Sequence, residues 1–227
     1  MSTLRQLSSA DKAAAFAQLR TRLEGNASMG IKRAEPVLPL GIPAVDTVIG
    51  GLPLGALTEV VQAPECIGSG LLTEALMRVA QRKQGYLSLI DGHNRFDPES
   101  VDPALHPHLL WVRCKQPEQA LEAADILLRD SNFHFHVMDL QGAPVHQLKR
   151  LPSHVWYRFQ RLLRQNGSVL LCITPQGFIP SAQLRLQCSH LADIEQLDQP
   201  RARLVTDLRL ELDRGHRNSG AAQTALA

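Results

Sequence analysis

Five short apolar segments alternate with helical segments along this chain, and this alternation constrains its fold most. Each segment is apolar almost throughout, which indicates strands that are covered on both faces. The predicted strands are Leu57–Gln62, Tyr86–Asp91, Leu109–Cys114, Phe133–Leu140 and Ser168–Thr174. The predicted helices are Val45–Ile49, Leu71–Arg82, Pro117–Arg129 and Trp156–Arg164. The pattern predicts an α/β fold with a mostly parallel sheet and helices on both faces.

The remaining segments predict additions to this core. Residues 1–38 are expected to form an N-terminal helix and a linker, the core to occupy 39–214, and 215–227 to be a disordered tail. The helix carries an apolar stripe at Phe16, Leu19 and Leu23. It could pack on its own domain or act as an arm that docks on another subunit. Ser189–Leu197 and Arg203–Asp213 are expected to add antiparallel strands at one edge of the sheet.

Composition narrows the class of protein. The chain has 227 residues and a formal net charge of +2, so any contact with nucleic acid must use a local patch. None of the cysteines Cys66, Cys114, Cys172 and Cys188 has a metal-ligand spacing, which predicts buried reduced thiols and no metal site. The chain has no apolar run of membrane-spanning length and no signal-peptide pattern. We therefore expect a cytoplasmic protein that does not enter a membrane.

The turn between the first predicted strand and helix has the position of a phosphate-binding loop. Such a loop reads GxxxxGK[ST], where the lysine neutralises phosphates and the hydroxyl binds magnesium. Here Ala63 and Gly68 occupy the two glycine positions, whereas Ser69 replaces the lysine and Gly70 replaces the hydroxyl residue. The sequence therefore predicts the outline of the loop without its charged functions, and no bound cofactor.

Four segments in order resemble the RecA-like recombinase core, and specifically the ImuA family of bacterial mutagenesis proteins. LPLGIPAVDTVIGGLPLGALTEVVQAPE is similar to the entry into the RecA phosphate loop, and LIDGHNRFDP to the segment that holds its catalytic glutamate. LLWVRCKQPEQALEAADILLRDSNFHFHVMDL is similar to a RecA strand, helix and Walker B strand. The resemblance covers roughly residues 10–190 and implies a P-loop NTPase core preceded by a helical arm.

The resemblance implies a remnant of a nucleotide site. Asp139 matches the Walker B acid, Asp91 matches an acidic strand end, and Asp97 lies in a segment that contacts adenine in RecA. His93 stands in place of the catalytic glutamate, and a histidine there with no magnesium ligand activates water poorly. We therefore expect a protein that is not an enzyme. The residues of this remnant are Glu65, Gly68, Ser69, Gly70, Asp91, His93, Asp97 and Asp139.

The segments that match the two DNA-binding loops of RecA are short, at Gly142–Ser153 and Gln176–Ser181. A basic cluster near the first one surrounds Trp156 and Tyr157. It could be a solvated helix face, or it could contact DNA weakly or bind an acidic partner. Its members are Lys149, Arg150, Arg158, Arg161 and Arg164.

By this resemblance we expect an adaptor in SOS-induced translesion synthesis that contacts RecA, ImuB and an error-prone polymerase, with homo-oligomers formed through the arm. One alternative is a SulA-like inhibitor of the division protein FtsZ. A second is a nucleotide-binding switch that uses Lys83 or Arg95 as its cation. A third is a hydrolase that uses Cys66 and His93.

Overall fold

The computed structural model describes residues 36–63, 65–189 and 199–214. All of them belong to a compact unit that runs from Pro36 to Ala227. The predicted docking arm with Phe16, Leu19 and Leu23, and the predicted tail 215–227, lie outside the described residues, so both stay predictions.

The described residues form strands and helices in alternation. The strands are β1 (Val37–Leu38), β2 (Leu52–Pro53), β3 (Ala56–Gln62), β4 (Tyr86–Asp91), β5 (Leu109–Arg113), β6 (Phe133–Asp139), β7 (Val169–Thr174), β8 (Leu184–Cys188) and β9 (Leu210–Arg214). The α-helices are α1 (Pro43–Ile49), α2 (Gly68–Arg82), α3 (Pro117–Leu127), α4 (Val145–Leu148), α5 (Ser153–Asn166) and α6 (Arg201–Asp207). Two 3₁₀ helices span Pro98–Ser100 and Pro103–His108. Within the described part of the chain, no helix has the length and apolar character needed to cross a bilayer.

The central sheet has seven strands in the order β5-β4-β6-β7-β3-β8-β9. All neighbouring pairs are parallel except β8 and β9, which are antiparallel. Every residue of β3 and β7 is buried, as expected for central strands of a parallel sheet. The predicted α/β core with a mostly parallel sheet is therefore confirmed.

Helices cover both faces of this sheet. Adjacent strand residues point to opposite faces, so that Leu89 of β4 packs in the cluster with Leu76 of α2, whereas Ile90 packs in the cluster with Trp156 and Phe159 of α5. The helix α3 joins the same cluster as α5. The sheet is thus enclosed by α2 on one face and by α3 and α5 on the other.

A small glycine-dependent turn precedes β3. The strands β1 and β2 form a separate antiparallel ribbon, with Leu38 opposite Leu52. Gly51 has a φ of 129°, and a Cβ there would overlap the carbonyl group of Leu38. Only glycine fits this approach, which brings the chain into β3 beside the buried core.

The side chain of Gln160 ties α5 to the start of β3. Its Oε1 accepts a hydrogen bond from the backbone N of Leu57 at 3.0 Å, and its Nε2 donates to the carbonyl of Gly55 at 3.0 Å. Gln160 is buried, and these two bonds satisfy its amide group. They also fix the position of α5 relative to the first residues of β3.

The prediction for the C-terminal edge of the sheet is confirmed in part, because β9 overlaps Arg203–Asp213 and adds an antiparallel strand at the edge, next to β8. The segment 184–188 forms β8, which is parallel to β3, and Arg203–Asp213 divides between α6 and β9. Most of Ser189–Leu197 lies outside the described residues. The strand β8 escaped prediction because it contains Arg185, whose charge is neutralised by Glu59 on β3, a contact that periodicity does not reveal.

Candidate functional site

The carboxyl ends of the parallel strands meet at one edge of the sheet, which is where α/β proteins bind ligands. Gln62 ends β3, Asp91 ends β4, Asp139 ends β6 and Thr174 ends β7. The turn from β3 to α2 lies at this edge. The predicted nucleotide-site remnant therefore gathers there, on β4, on β6 and in the connections that follow β3 and β4.

Protein atoms fill the space beside the first residue of α2. A Cβ on Gly68 would overlap Sγ of Cys188 and would lie 3.3 Å from Cδ1 of Leu208. The thiol of Cys66 lies 3.5 Å from the carbonyl oxygen of Cys188. Ser69 is partly buried, and Glu65 and Gly70 are exposed. The turn thus packs against the C-terminal elements of its own chain, and its side chains offer neither a cation nor a metal-binding hydroxyl at the positions where magnesium ATP needs them.

Arg201, the first residue of α6, spans the same region. Its guanidinium forms an ion pair with the buried carboxylate of Glu74 on α2. It also donates to the carbonyl of Ser100 at 2.8 Å and to that of Gly70 at 3.4 Å. Arg201 therefore joins the first turns of α2 to the loop after β4, which are the two sides of the predicted nucleotide site.

Two buried glutamine side chains link the turn to β6. Nε2 of Gln62 donates to Oε1 of Gln141 at 2.9 Å, and Nε2 of Gln141 donates to the carbonyl of Ala63 at 2.8 Å. The backbone N of Gln141 donates to Oδ1 of Asp139 at 2.8 Å. This chain of bonds holds the turn against the end of β6.

The carboxylate of Asp91 holds the loop after β4. It is buried and accepts hydrogen bonds from the backbone N of His93, Arg95 and Phe96 and from Nε1 of Trp111, at 2.9–3.3 Å. These donors occupy both carboxylate oxygens. Asp91 thus organises this loop.

His93 and Asp97 lie in that same loop. His93 packs against Gly142, where a Cβ would come within 2.7 Å of the His93 Cβ, and its Nδ1 is buried without a partner among the described residues. His93 is therefore half-buried and packed within the loop. Oδ1 of Asp97 accepts from the backbone N of Glu99 at 3.0 Å and caps the first 3₁₀ helix.

Asp139 is the carboxylate at this edge whose titration is perturbed. Burial, helped by nearby Asp91, raises its pKa from 3.8 to about 6, although the bond from Gln141 and the charge of Arg95 oppose the rise. A carboxyl group in this state binds a cation less readily than an ordinary aspartate does.

A buried ion pair holds the segment that matches the second DNA-binding loop. Oε2 of Glu59 lies 2.7 Å from Nε of Arg185, and its Oε1 accepts from the backbone N of Phe178 and Ile179 at 2.9 and 3.3 Å. Ile179 is fully buried, and Phe178 stacks edge-on against Trp156 with ring centroids 5.5 Å apart. The loop is therefore folded into the core by a carboxylate in the middle of β3.

The predicted basic cluster is divided by the fold. Trp156 is buried, and Nε of Arg158 lies 2.9 Å from Oδ1 of Asp125 on α3. Lys149, Arg150, Arg161 and Arg164 are exposed, as is Tyr157. The description of one continuous patch that includes Arg158 is corrected, because Asp125 already neutralises that residue.

Two of the alternatives fit the geometry poorly: Lys83 as the cation of a nucleotide site, and a hydrolase that uses Cys66. Lys83 follows the last residue of the 15-residue helix α2, so it lies about 20 Å from the turn. The buried thiol of Cys66 points to the carbonyl of Cys188. Arg95 alone among these candidate groups lies beside Asp139, with its Cδ close to Gly142.

Comparison with known sequences finds bacterial RecA proteins. The chain is 37% identical over 114 residues to RecA of Clavibacter michiganensis subsp. michiganensis, a match that covers 48% of this chain and 31% of that protein. It is 34% identical over 143 residues to RecA of Streptomyces ambofaciens, covering 58% and 37%. RecA of Desulfotalea psychrophila is 26% identical over 195 residues, covering 72% and 54%. No family model matches the chain.

The fold is similar to the crystal structure of the RadB recombinase. The TM-score is 0.55 at 15% identity, over 69% of this chain and 85% of that one. The chain has a RecA-like core. Sequence and fold agree on a RecA-superfamily relationship, although the chain spans only about a third of the length of the first two RecA proteins above.

Several residues that shape this RecA-like core were not singled out in the sequence. Glu59 stands between Thr58 and Val60 in an apolar strand, and a charge at such a position is a signal of a buried ion pair. Gln62, Gln141 and Arg201 give no such signal, because their partners are remote in the sequence.

Removing the charge of Asp139 should change how stability depends on pH. Because the folded-state pKa of about 6 lies above the ordinary 3.8, the folded state holds a proton that the unfolded state releases, so the parent loses stability as the pH rises from about 3.8 to about 6 and keeps the full penalty above that. The stability of Asp139→Asn relative to the parent should therefore grow by up to about 3 kcal/mol between pH 4 and pH 7.5. Urea unfolding at both pH values measures this, with the exposed Glu99→Gln as a control for losing one charge. A constant difference would contradict the prediction.

Removing the carboxylate of Glu59 should destabilise the core. Glu59→Ala removes the buried carboxylate and leaves the partly buried guanidinium of Arg185 without its main partner, and breaking such a pair costs up to about 3–5 kcal/mol. Asp213→Ala is the matched control, since Asp213 lies 3.8 Å from the same guanidinium at an exposed position. We expect the control to change the free energy of unfolding by less than about 0.5 kcal/mol in urea titrations. If the two substitutions lowered the free energy of unfolding equally, the buried contact with Glu59 would stabilise the fold no more than the exposed contact with Asp213.

Proposed function

We propose that this chain is a non-catalytic RecA-like adaptor in damage-induced translesion DNA synthesis, with a role like that of ImuA proteins. It acts by contacts with RecA, with the polymerase-like protein ImuB and with an error-prone polymerase. The RecA-like fold and the similarity to RecA sequences support the family part of this proposal.

The packing around Gly68 is the observation that carries the proposal. Cys188 and Leu208 occupy the space beside this glycine, and Arg201 joins α2 to the loop that contacts adenine in RecA. Ser69, at the lysine position, provides no charge for phosphates, and Gly70, at the hydroxyl position, provides no hydroxyl for magnesium. We therefore infer that a core with these substitutions acts through contacts of its surface with other proteins and does not depend on a bound nucleotide.

The second loop supports the same proposal. RecA-type DNA binding uses loops that are free to meet the strand, whereas Phe178 and Ile179 are held by Glu59 and packed in the core.

The arm supplies the first test of a RecA contact. Phe16, Leu19 and Leu23 share one face of the predicted helix, and burying three such side chains is worth several kcal/mol. Replacing all three with serine should weaken binding to RecA at least about tenfold, measured with immobilised RecA. Gln18→Ser, on the opposite face, is the matched control and should bind as the parent does.

The outcomes separate the proposed role from its alternative. Equal binding by the triple variant and the parent would show that the arm is not the contact. No binding of RecA, together with binding of FtsZ in a parallel titration, would overturn the adaptor role and favour a SulA-like division inhibitor.

A further inference from the structure

A groove between α3 and α5 lies on the face of the sheet opposite α2. Its volume is about 520 Å³, and its floor is apolar, with Leu121, Leu151 and Val155. Ile126 stands at the rim with 70% of its surface exposed. Ile126 therefore offers a second molecule an apolar side chain next to an apolar groove.

The two walls of this groove carry opposite charges. Glu118 and Glu122 are exposed on α3 and have no ion pair among the described residues. On the opposite side, Lys149 and Arg150 are exposed and unpaired within the same described part of the chain, and they directly precede Leu151 and Pro152 of the groove lining. One wall is therefore acidic and the other basic.

The contact between Asp125 on α3 and Arg158 on α5 shows how the two helices are aligned along the groove. Both helices return the chain between parallel strands on the same face of the sheet, so α3 and α5 run in the same direction. Because Asp125 is level with Arg158, the seven helical residues back to Glu118 place it about 10 Å away, towards the start of α5, and Leu151, just before that helix, lines the same groove as Glu118. The free acids and the free bases are thus at the same end of the groove.

We propose that this groove is the interface of a two-fold symmetric dimer of the chain. A two-fold axis along the groove places α3 of one copy over α5 of the other. Glu118 and Glu122 then meet Lys149 and Arg150 of the second copy, and Ile126 enters the apolar floor of the second copy. A surface that forms a two-fold interface must be complementary to itself. This groove fulfils that condition, because its acidic wall and its basic wall lie at the same distance along the groove.

The charges of the two walls also argue against a partner helix that carries charges of only one sign. A uniformly basic helix would be repelled by Lys149 and Arg150, and a uniformly acidic one by Glu118 and Glu122. At the centre, Asp125 already pairs with both Arg158 and Arg129 and needs no further partner. A second copy supplies both signs at matching positions, and the interface does not depend on the adaptor role.

Charge exchange tests this dimer in the full-length chain. Sedimentation velocity over a concentration series should show a reversible dimer. Glu122→Lys and Arg150→Glu should each raise the dissociation constant at least about tenfold, and the double variant should restore most of the affinity. Ile126→Ser should weaken the dimer as well. Glu99→Lys and Arg164→Glu make the same charge changes away from the two matched ends and should leave it intact.

Three outcomes would overturn the proposal. One is a monomer at every concentration. Another is a double variant that associates no better than the single variants, because the two walls then do not face each other. The last is a dimer that survives Ile126→Ser but is lost when Phe16, Leu19 and Leu23 are replaced with serine, which would assign association to the arm.

Discussion

The buried ion pair between Glu59 and Arg185 is the contact on which the rest of this core depends. A carboxylate in the middle of β3 can be buried only if its charge is neutralised, and Arg185 of β8 does this at 2.7 Å. The pairing draws β8 into a parallel position next to β3, and the remaining oxygen of Glu59 accepts from the backbone of Phe178 and Ile179. One side chain therefore positions an outer strand and folds inward the loop that lies between β7 and β8.

The position of β8 has a consequence at the ligand-binding edge of the sheet. Because β8 lies beside β3, its last residue, Cys188, reaches the first turn of α2 and packs against Gly68. The helix α6 continues from the same side and brings Arg201 to Glu74 and to the loop after β4. The chain thus keeps the sheet of a RecA-like core while its C-terminal elements fill the surroundings of the phosphate-loop position.

The sequence predicts the central strands well because burial on both faces leaves a direct trace in composition. Tyr86–Asp91 agrees at both ends, and β3, β6 and β7 differ by one residue at one end. The site is predicted less well, because motif spacing gives the location of a residue but not its partners. Asp91 ends β4, where the resemblance to RecA places an acidic residue of the nucleotide site. The sequence does not show that its carboxylate accepts four hydrogen bonds and holds the loop after β4. Arg201 could not be found from sequence, since its contacts with Gly70 and Ser100 bridge more than a hundred residues.

Calorimetric titration of the full-length chain with ATP, with and without magnesium, tests most directly whether the phosphate-loop position has lost its ligand. The account predicts no saturable heat in either case, because protein atoms line Gly68, Ser69 carries no positive charge to neutralise phosphate, and Gly70 has no hydroxyl to bind magnesium. Saturable, magnesium-dependent binding that disappears in Asp139→Asn would contradict the account, and the chain would then be a nucleotide-responsive switch.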